Sequence, residues 1–170
     1  MLACPAMHRL PKPRALALAG AALAAAALAL AHASEHWGGL APCELCLWQR
    51  WPYWAAVAAG LGALVLPGAA FPLALAIGVL YLGNAALAAF HAGVEWRLWP
   101  SPFAGCGTGP APPAATVEEL MARLAAAPIV RCNEPAIVIA GLSMAGWNAV
   151  FALAVGAAML TLLGMTRRRA

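Results

Sequence analysis

The sequence predicts an all-α membrane protein: a bundle of four transmembrane helices with two loops outside the cytoplasm, the second loop carrying a short interfacial helix. Three observations predict it. Of 170 residues, 64% are hydrophobic and only 9% charged, about a third of the charge an ordinary soluble domain carries. The polar residues separate four apolar runs, each close to the roughly 20 residues that cross a hydrocarbon core about 30 Å thick. Basic residues gather at both chain ends, while every acidic residue lies between runs.

The first run, 15–33, is nearly all Ala and Leu. The second, 45–66, is entered through Trp51, Pro52, Tyr53 and Trp54, and the third covers 71–90. The fourth, 138–164, carries Gly141-Leu142-Ser143-Met144-Ala145-Gly146-Trp147-Asn148 and stops before Arg167-Arg168-Arg169. With the residues from Ala136 it exceeds one crossing, so its first turns are expected at the interface or tilted. A cleaved signal peptide competes for the first run, because Arg9, Lys12 and Arg14 precede it and Ala31 and Ala33 close it. Its apolar core is longer than the roughly 7–15 residues of a signal h-region, which favours a retained helix. Cys4 reads as an incidental cytoplasmic thiol.

Lys and Arg concentrate on the cytoplasmic side of membrane proteins. Arg9, Lys12, Arg14 and Arg167 to Arg169 therefore place both termini in the cytoplasm, with Pro67 to Ala70 as the cytoplasmic turn. The outer loops, 34–44 and 92–135, hold Glu35, Glu44, Glu95, Glu118, Glu119 and Glu134, and hold or border four of the five cysteines. All seven tryptophans lie in or beside them, as in an interfacial aromatic belt; Trp48 and Trp147 are also candidates to wall a ligand site. In the long loop, Thr116-Val117-Glu118-Glu119 has capping-box spacing and Val117, Leu120, Met121 and Leu124 recur at helical intervals. Pro110, Pro112, Pro113 and Pro128 flank that helix and leave Cys106 and Cys132 expected on flexible arms.

Four cysteines facing an oxidising compartment allow three pairings. Cys43 and Cys46 are the natural local pair, since residues three apart share a helical face, which leaves Cys106 and Cys132 to each other. A zinc site would want a second close ligand pair, and Cys106 and Cys132 stand 26 residues apart, so no metal is expected. Haem attachment needs His after the second cysteine, where Leu47 stands. Structural disulfides are the serious alternative, because a long loop gains order from a cross-link. A Cys-x-x-Cys bridge closes almost no loop, which favours redox work. Pro42 suits a first helical position, putting Cys43 in a first turn where the helix dipole favours a thiolate. Arg50 falls four residues after Cys46, as a cation on the same face or as an interfacial anchor, and Pro52 is expected to kink the helix beyond it.

Pro42-Cys43-Glu44-Leu45-Cys46-Leu47-Trp48-Gln49-Arg50 resembles the Pro-Cys-x-Leu-Cys-x-x-Gln/Glu-Arg signature of the DsbB family. His91-Ala92-Gly93-Val94-Glu95, the stretch from Trp99 to Cys106, and Gly141 to Asn148 resemble that family's second loop and fourth helix in order and spacing, over about Ala15 to Gly164. The resemblance implies a protein of the bacterial inner membrane, a bound ubiquinone or menaquinone, and a periplasmic thioredoxin-fold donor of the DsbA type, with no nucleic-acid partner. It implies that the donor attacks Cys106 of a Cys106/Cys132 pair, that released Cys132 attacks Cys43, and that Cys46 becomes the thiolate that reduces the quinone. Arg50 would support the quinone carbonyl or the thiolate, Gln49 would hydrogen-bond the quinone, and His91 would touch it or supply a proton. Two other functions compete: a quinone reductase of the vitamin K epoxide reductase type, whose close thiol pair sits on a late helix, and a non-catalytic membrane assembly or transport protein with structural disulfides.

Overall fold

The computed structural model describes residues 12–103, 116–125 and 130–169. Cys4, Cys106, Pro110, Pro112, Pro113 and Pro128 lie outside the described residues. Four long or medium helices form the body: α1 (Pro13–His36), α3 (Arg50–Val65), α4 (Ala70–Glu95) and α6 (Met144–Arg169), with a short α2 (Glu44–Trp48) and a loop helix α5 (Val117–Ala125) between them. By length and composition α1, α4 with its preceding turn, and α6 are each able to cross a membrane.

Each boundary has a local cause. Proline occupies the first helical position of α1, where its missing N–H is not needed. Leu66 leaves helical geometry before Pro67, because the proline ring disfavours the α region in the residue it follows. The 3₁₀ turn Pro67–Ala69 then starts α4 at once, so α3 and α4 are antiparallel neighbours. Arg14 donates to Leu64 O at 3.2 Å, satisfying a carbonyl in the last turn of α3. The expected cap of α5 is present: Glu119 N–H donates to Thr116 Oγ1 at 3.1 Å.

Two expectations need correction. The second apolar run is interrupted ahead of Pro52 rather than beyond it. α2 ends at Trp48 and α3 starts at Arg50, while Gln49 between them keeps αR dihedrals and its N–H still bonds Leu45 O at 3.1 Å; Pro52 has no N–H for the Trp48 carbonyl four residues back, as the expected kink requires. The fourth run is not helical from 138. Strands β1 (Val138–Ile139) and β2 (Leu142–Ser143) pair antiparallel around Ala140 and Gly141, both at positive φ, the two-residue turn that matches strand twist. Ser143 then ends the hairpin by accepting from Gly146 N–H at 3.1 Å, an N-cap that starts α6.

The core is built from small residues: Ala17, Ala24, Ala56, Ala63, Ala74 and Ala152 are fully buried, with Ile77, Tyr81 and Leu163 filling the larger gaps. Gly60 meets Ala21 so closely that a Cβ at 60 would stand 2.2 Å from the alanine's. Gly78 and Gly156 let α4 and α6 approach, the Gly156 Cβ position lying 3.1 Å from Gly78 O. Large apolar residues such as Leu30, Leu61, Val65, Val79 and Leu153 point outward, the inverse of a soluble bundle. α1 and α6 hardly touch, and the gap between them becomes the site described below.

Gly60→Ala should cost about 1–3 kcal/mol by overpacking, whereas Gly83→Ala, with nothing within 4 Å of its added carbon, should be neutral or slightly stabilising. Thermal unfolding in detergent compares them, and equal melting temperatures would place the α1–α3 approach elsewhere.

Candidate redox site

The antiparallel helices sort the chemistry to opposite ends. Lys12, Arg14 and the Arg167-Arg168 tail share the end that holds the Pro67 turn, whereas Glu35, Cys43, Cys46, Glu95 and Cys132 share the other. At that second end Cys43 precedes α2 in extended conformation, as its N-cap. Pro42 therefore lies outside the helix and Cys43 is not in a first turn as expected. Its sulfur accepts from Cys46 N–H at 3.3 Å, the place a Ser or Asp oxygen takes in other helices.

Among the described residues Cys43 and Cys46 are free thiols, with sulfurs 2.8 Å apart, and Cys132 is disulfide-bonded. Cys132 does not sit on a flexible arm. It is 1% exposed and shares a buried cluster with Cys43, Leu45 and Val94, against which Cys46, Phe90 and Phe103 pack. Its backbone also hydrogen-bonds His91. Two cysteines that stand 89 positions apart in the chain (132 − 43 = 89) are thus brought into one packed cluster.

A polar chain runs inward from this pair. Cys43 Sγ lies 3.5 Å from His91 Nε2. On the far side of that ring, Gln49 Nε2 donates to His91 Nδ1 at 2.7 Å and to Leu45 O at 3.3 Å. Gln49 Oε1 accepts from Asn148 Nδ2 at 2.7 Å, and Asn148 Oδ1 accepts from the Tyr53 hydroxyl. Glu95 accepts from the Ser143 hydroxyl and lies 4.0 Å from His91 Nε2. Sequence reasoning missed Asn148, Tyr53 and Glu35 as members of the site. Asn148 did carry a signal, a lone amide in an apolar run, which marks function by default in a membrane helix.

Arg50 does not stand beneath Cys46 as an open cation. Both its terminal nitrogens meet the Glu35 carboxylate at 2.9 Å, a bidentate pair that ties α3 to α1. Cys46, Gln49, Arg50, His91, Tyr53 and Asn148 line one cavity of about 640 Å³ between α1 and α6, whose remaining wall is largely apolar. Trp147 contributes to that wall and donates to Ile139 O. Trp48 does not; it stacks on Phe103 at 5.9 Å. Trp99 folds back over α4, donating to Phe90 O with its ring against Gly93, where any Cβ would clash at 2.0 Å.

The two thiols titrate in opposite directions. The hydrogen bond from the Cys43 thiol, first, holds Cys46 below its ordinary value against the cost of burial; Arg50 adds the smallest part. Cys43, which keeps the shared proton, is pushed far up by that bond and by burial. A lowered pKa means that Cys46 is ionised at pH values where a free thiol is not, and regains its proton only as the pH falls through that lowered value. In the reduced protein Cys46 alkylation should therefore persist below the ordinary thiol range. Cys43→Ala should move its pH midpoint up, and Arg50→Ala should move it much less. Maleimide rates against pH, with the other cysteines replaced, measure this; a larger shift from Arg50→Ala than from Cys43→Ala would transfer control to the guanidinium.

The comparisons agree with the geometry. The family model described as Disulfide bond formation protein DsbB matches residues 13–162. An uncharacterized protein of Rickettsia prowazekii (strain Madrid E) is 28% identical over 136 residues, which cover 79% of this chain and 76% of the relative. No solved structure matches. The family match takes in α1, α3, α4 and most of α6, with Cys43, Cys46 and Cys132 together, and this chain belongs to the DsbB family of membrane proteins for disulfide bond formation.

Proposed function

We propose that this protein reoxidises a periplasmic dithiol protein of the DsbA type and passes the electrons through two cysteine pairs to a membrane quinone, ubiquinone or menaquinone. The observation that carries the reading is the position of the free Cys43/Cys46 pair between buried Cys132 on one side and the cavity on the other. Structural disulfides alone would give no reason for a reduced close pair to face a cavity edged by Arg50, Gln49 and His91.

On this reading the donor's thiolate attacks Cys106 in a Cys106/Cys132 disulfide and Cys132 leaves as the thiolate. The donor's second thiol then displaces Cys106 and departs oxidised. Cys132 attacks Cys43 of an oxidised Cys43/Cys46 pair, so Cys46 leaves as the thiolate. Cys106 closes again on Cys132, and Cys43 and Cys46 remain as a dithiol that carries both electrons. A bound quinone supplies the two-electron acceptor. The residues present fit it: the apolar wall of α1 suits a ring and tail, and the polar edge offers the Arg50 guanidinium, the Gln49 amide and the thiolate of Cys46. His91 holds a proton on Nε2 next to Cys43, because Nδ1 is occupied as an acceptor from Gln49.

In the membrane α3 is the fourth crossing. Its 16 residues reach about 24 Å, and α2 completes the depth at the outer interface. The basic end of the bundle is then cytoplasmic, with both termini, and α5 lies on the outer surface.

Proteoliposomes holding the quinone and given a reduced DsbA-like protein should oxidise it and reduce quinone in equal amounts. Cys46→Ser should bring quinone reduction to background, and Cys106→Ser should stop oxidation of the donor while quinone still oxidises Cys43/Cys46. Normal donor turnover by Cys106→Ser would move the point of attack elsewhere. For topology, a membrane-impermeant maleimide applied to gently reduced spheroplasts should label Cys106 and miss Cys4, with Cys132 shielded by its burial; labelling of Cys4 alone would invert the arrangement.

A further inference from the structure

Cys43 Sγ, Cys46 Sγ and a ring nitrogen of His91 all lie within 4.8 Å of one another. They arrive from separate elements, the thiols from the start of α2 and the imidazole from the last turns of α4. Two thiolates and an imidazole are a donor set suited to zinc and other thiophilic d¹⁰ cations. Zinc holds sulfur at about 2.3 Å and nitrogen at about 2.0–2.1 Å, so a tetrahedral site sets an S···N separation of roughly 3.5 Å and an S···S separation of roughly 3.8 Å. The Cys43 Sγ to His91 Nε2 distance is already 3.5 Å. The sulfurs, at 2.8 Å, need to open by about 1 Å to reach that spacing, and Cys46 is the half-buried member that faces the cavity.

We infer that the reduced pair, with His91, forms a binding site for one zinc-like d¹⁰ cation, which holds Cys43 and Cys46 as thiolates and blocks their reoxidation. The inference rests on the functional reading above, because it regulates the same pair. Binding displaces the proton that Cys43 keeps, places one divalent ion between the two thiolates and moves no electrons. A Cys43–Cys46 disulfide offers no thiolate, so the ion and the disulfide compete for the same sulfurs.

The surroundings suit the ion. A metal-bound imidazole donates its other N–H to an outer partner, and here Nδ1 faces the Gln49 amide at 2.7 Å. The same Gln49 amide nitrogen donates to Leu45 O at 3.3 Å, so Gln49 Oε1 meets an Nδ1–H only at the cost of that bond, while Asn148 and the Tyr53 hydroxyl have both capacities and can follow. The Glu95 carboxylate lies 4.0 Å from His91 Nε2 and adds negative charge, while the Arg50 charge is held by Glu35. The fourth position opens on the cavity, where water can occupy it.

The test uses the full-length protein in detergent with Cys4, Cys106 and Cys132 replaced by Ser, reduced and freed of reductant. Titration with Cd²⁺ should give a thiolate charge-transfer band that saturates at one ion per chain and is absent after the pair is oxidised. Zinc X-ray absorption on the same protein should show two sulfurs and an imidazole. His91→Ala and His91→Gln should each weaken binding by at least about tenfold, since even outer partners of metal ligands are worth 10–100-fold. No saturable binding, or a zinc shell without imidazole, overturns the inference. The titration needs neither quinone nor donor protein, and electron transfer is read on the unsubstituted protein, which keeps Cys106 and Cys132. Failed metal binding beside intact electron transfer there rejects this site alone, and intact metal binding beside no electron transfer rejects the functional reading instead.

Discussion

A polar group that enters an apolar bundle must find its partner inside it, and this constraint shapes the cysteine end of the molecule. No water competes for bonds in a hydrocarbon core, and each unsatisfied group costs several kcal/mol. Gln49, His91 and Asn148 therefore bond to one another across three helices, Arg50 reaches Glu35 on α1, and the Tyr81 hydroxyl donates to Gly20 O. These bonds fix which faces of α1, α3, α4 and α6 turn inward. They also fix the lateral order that leaves α1 and α6 apart. The cavity is the space that remains when the polar residues have chosen their partners.

The interruption at Gln49 is the local counterpart of that constraint. Between α2, which stops at Trp48, and α3, which starts at Arg50, the ladder is interrupted at Gln49 while its backbone stays in the αR region. One short element then holds the thiols and the next holds the arginine, and the amide between them points at the histidine. Pro52 is compatible with a first turn and incompatible with a helix interior, so it reinforces the restart.

Much of this was legible in the sequence. The apolar runs gave the long helices, the spacing of Cys43 and Cys46 gave the close pair, and Thr116 gave the cap of α5, because each rests on residues near one another in the chain. The turn at Ala140-Gly141 was misread as helix, since a short apolar run of Val and Ile has no period that separates strand from helix. The Arg50–Glu35 pair, the Asn148–Gln49 bond and the burial of Cys132 beside Cys43 join residues 15, 99 and 89 positions apart. No local pattern specifies which of several distant polar residues will meet. The lone amide of Asn148 announced only that some partner was needed.

The arginine illustrates how a sequence can name a residue and still mislead about its physics. A guanidinium four residues after a thiol suggests that charge stabilises the thiolate, but a cation already in bidentate contact with a carboxylate presents little net field to a third group. What localises the charge on Cys46 is the proton kept by Cys43, a bond between the two sulfurs themselves. That source exists only while both thiols are reduced. Once they join as a disulfide the bond, the proton and the ionisable group vanish together, while the arginine and glutamate keep their ion pair at the cavity edge. Closing the disulfide thus removes from the site the bond that does most to hold Cys46 below its ordinary value.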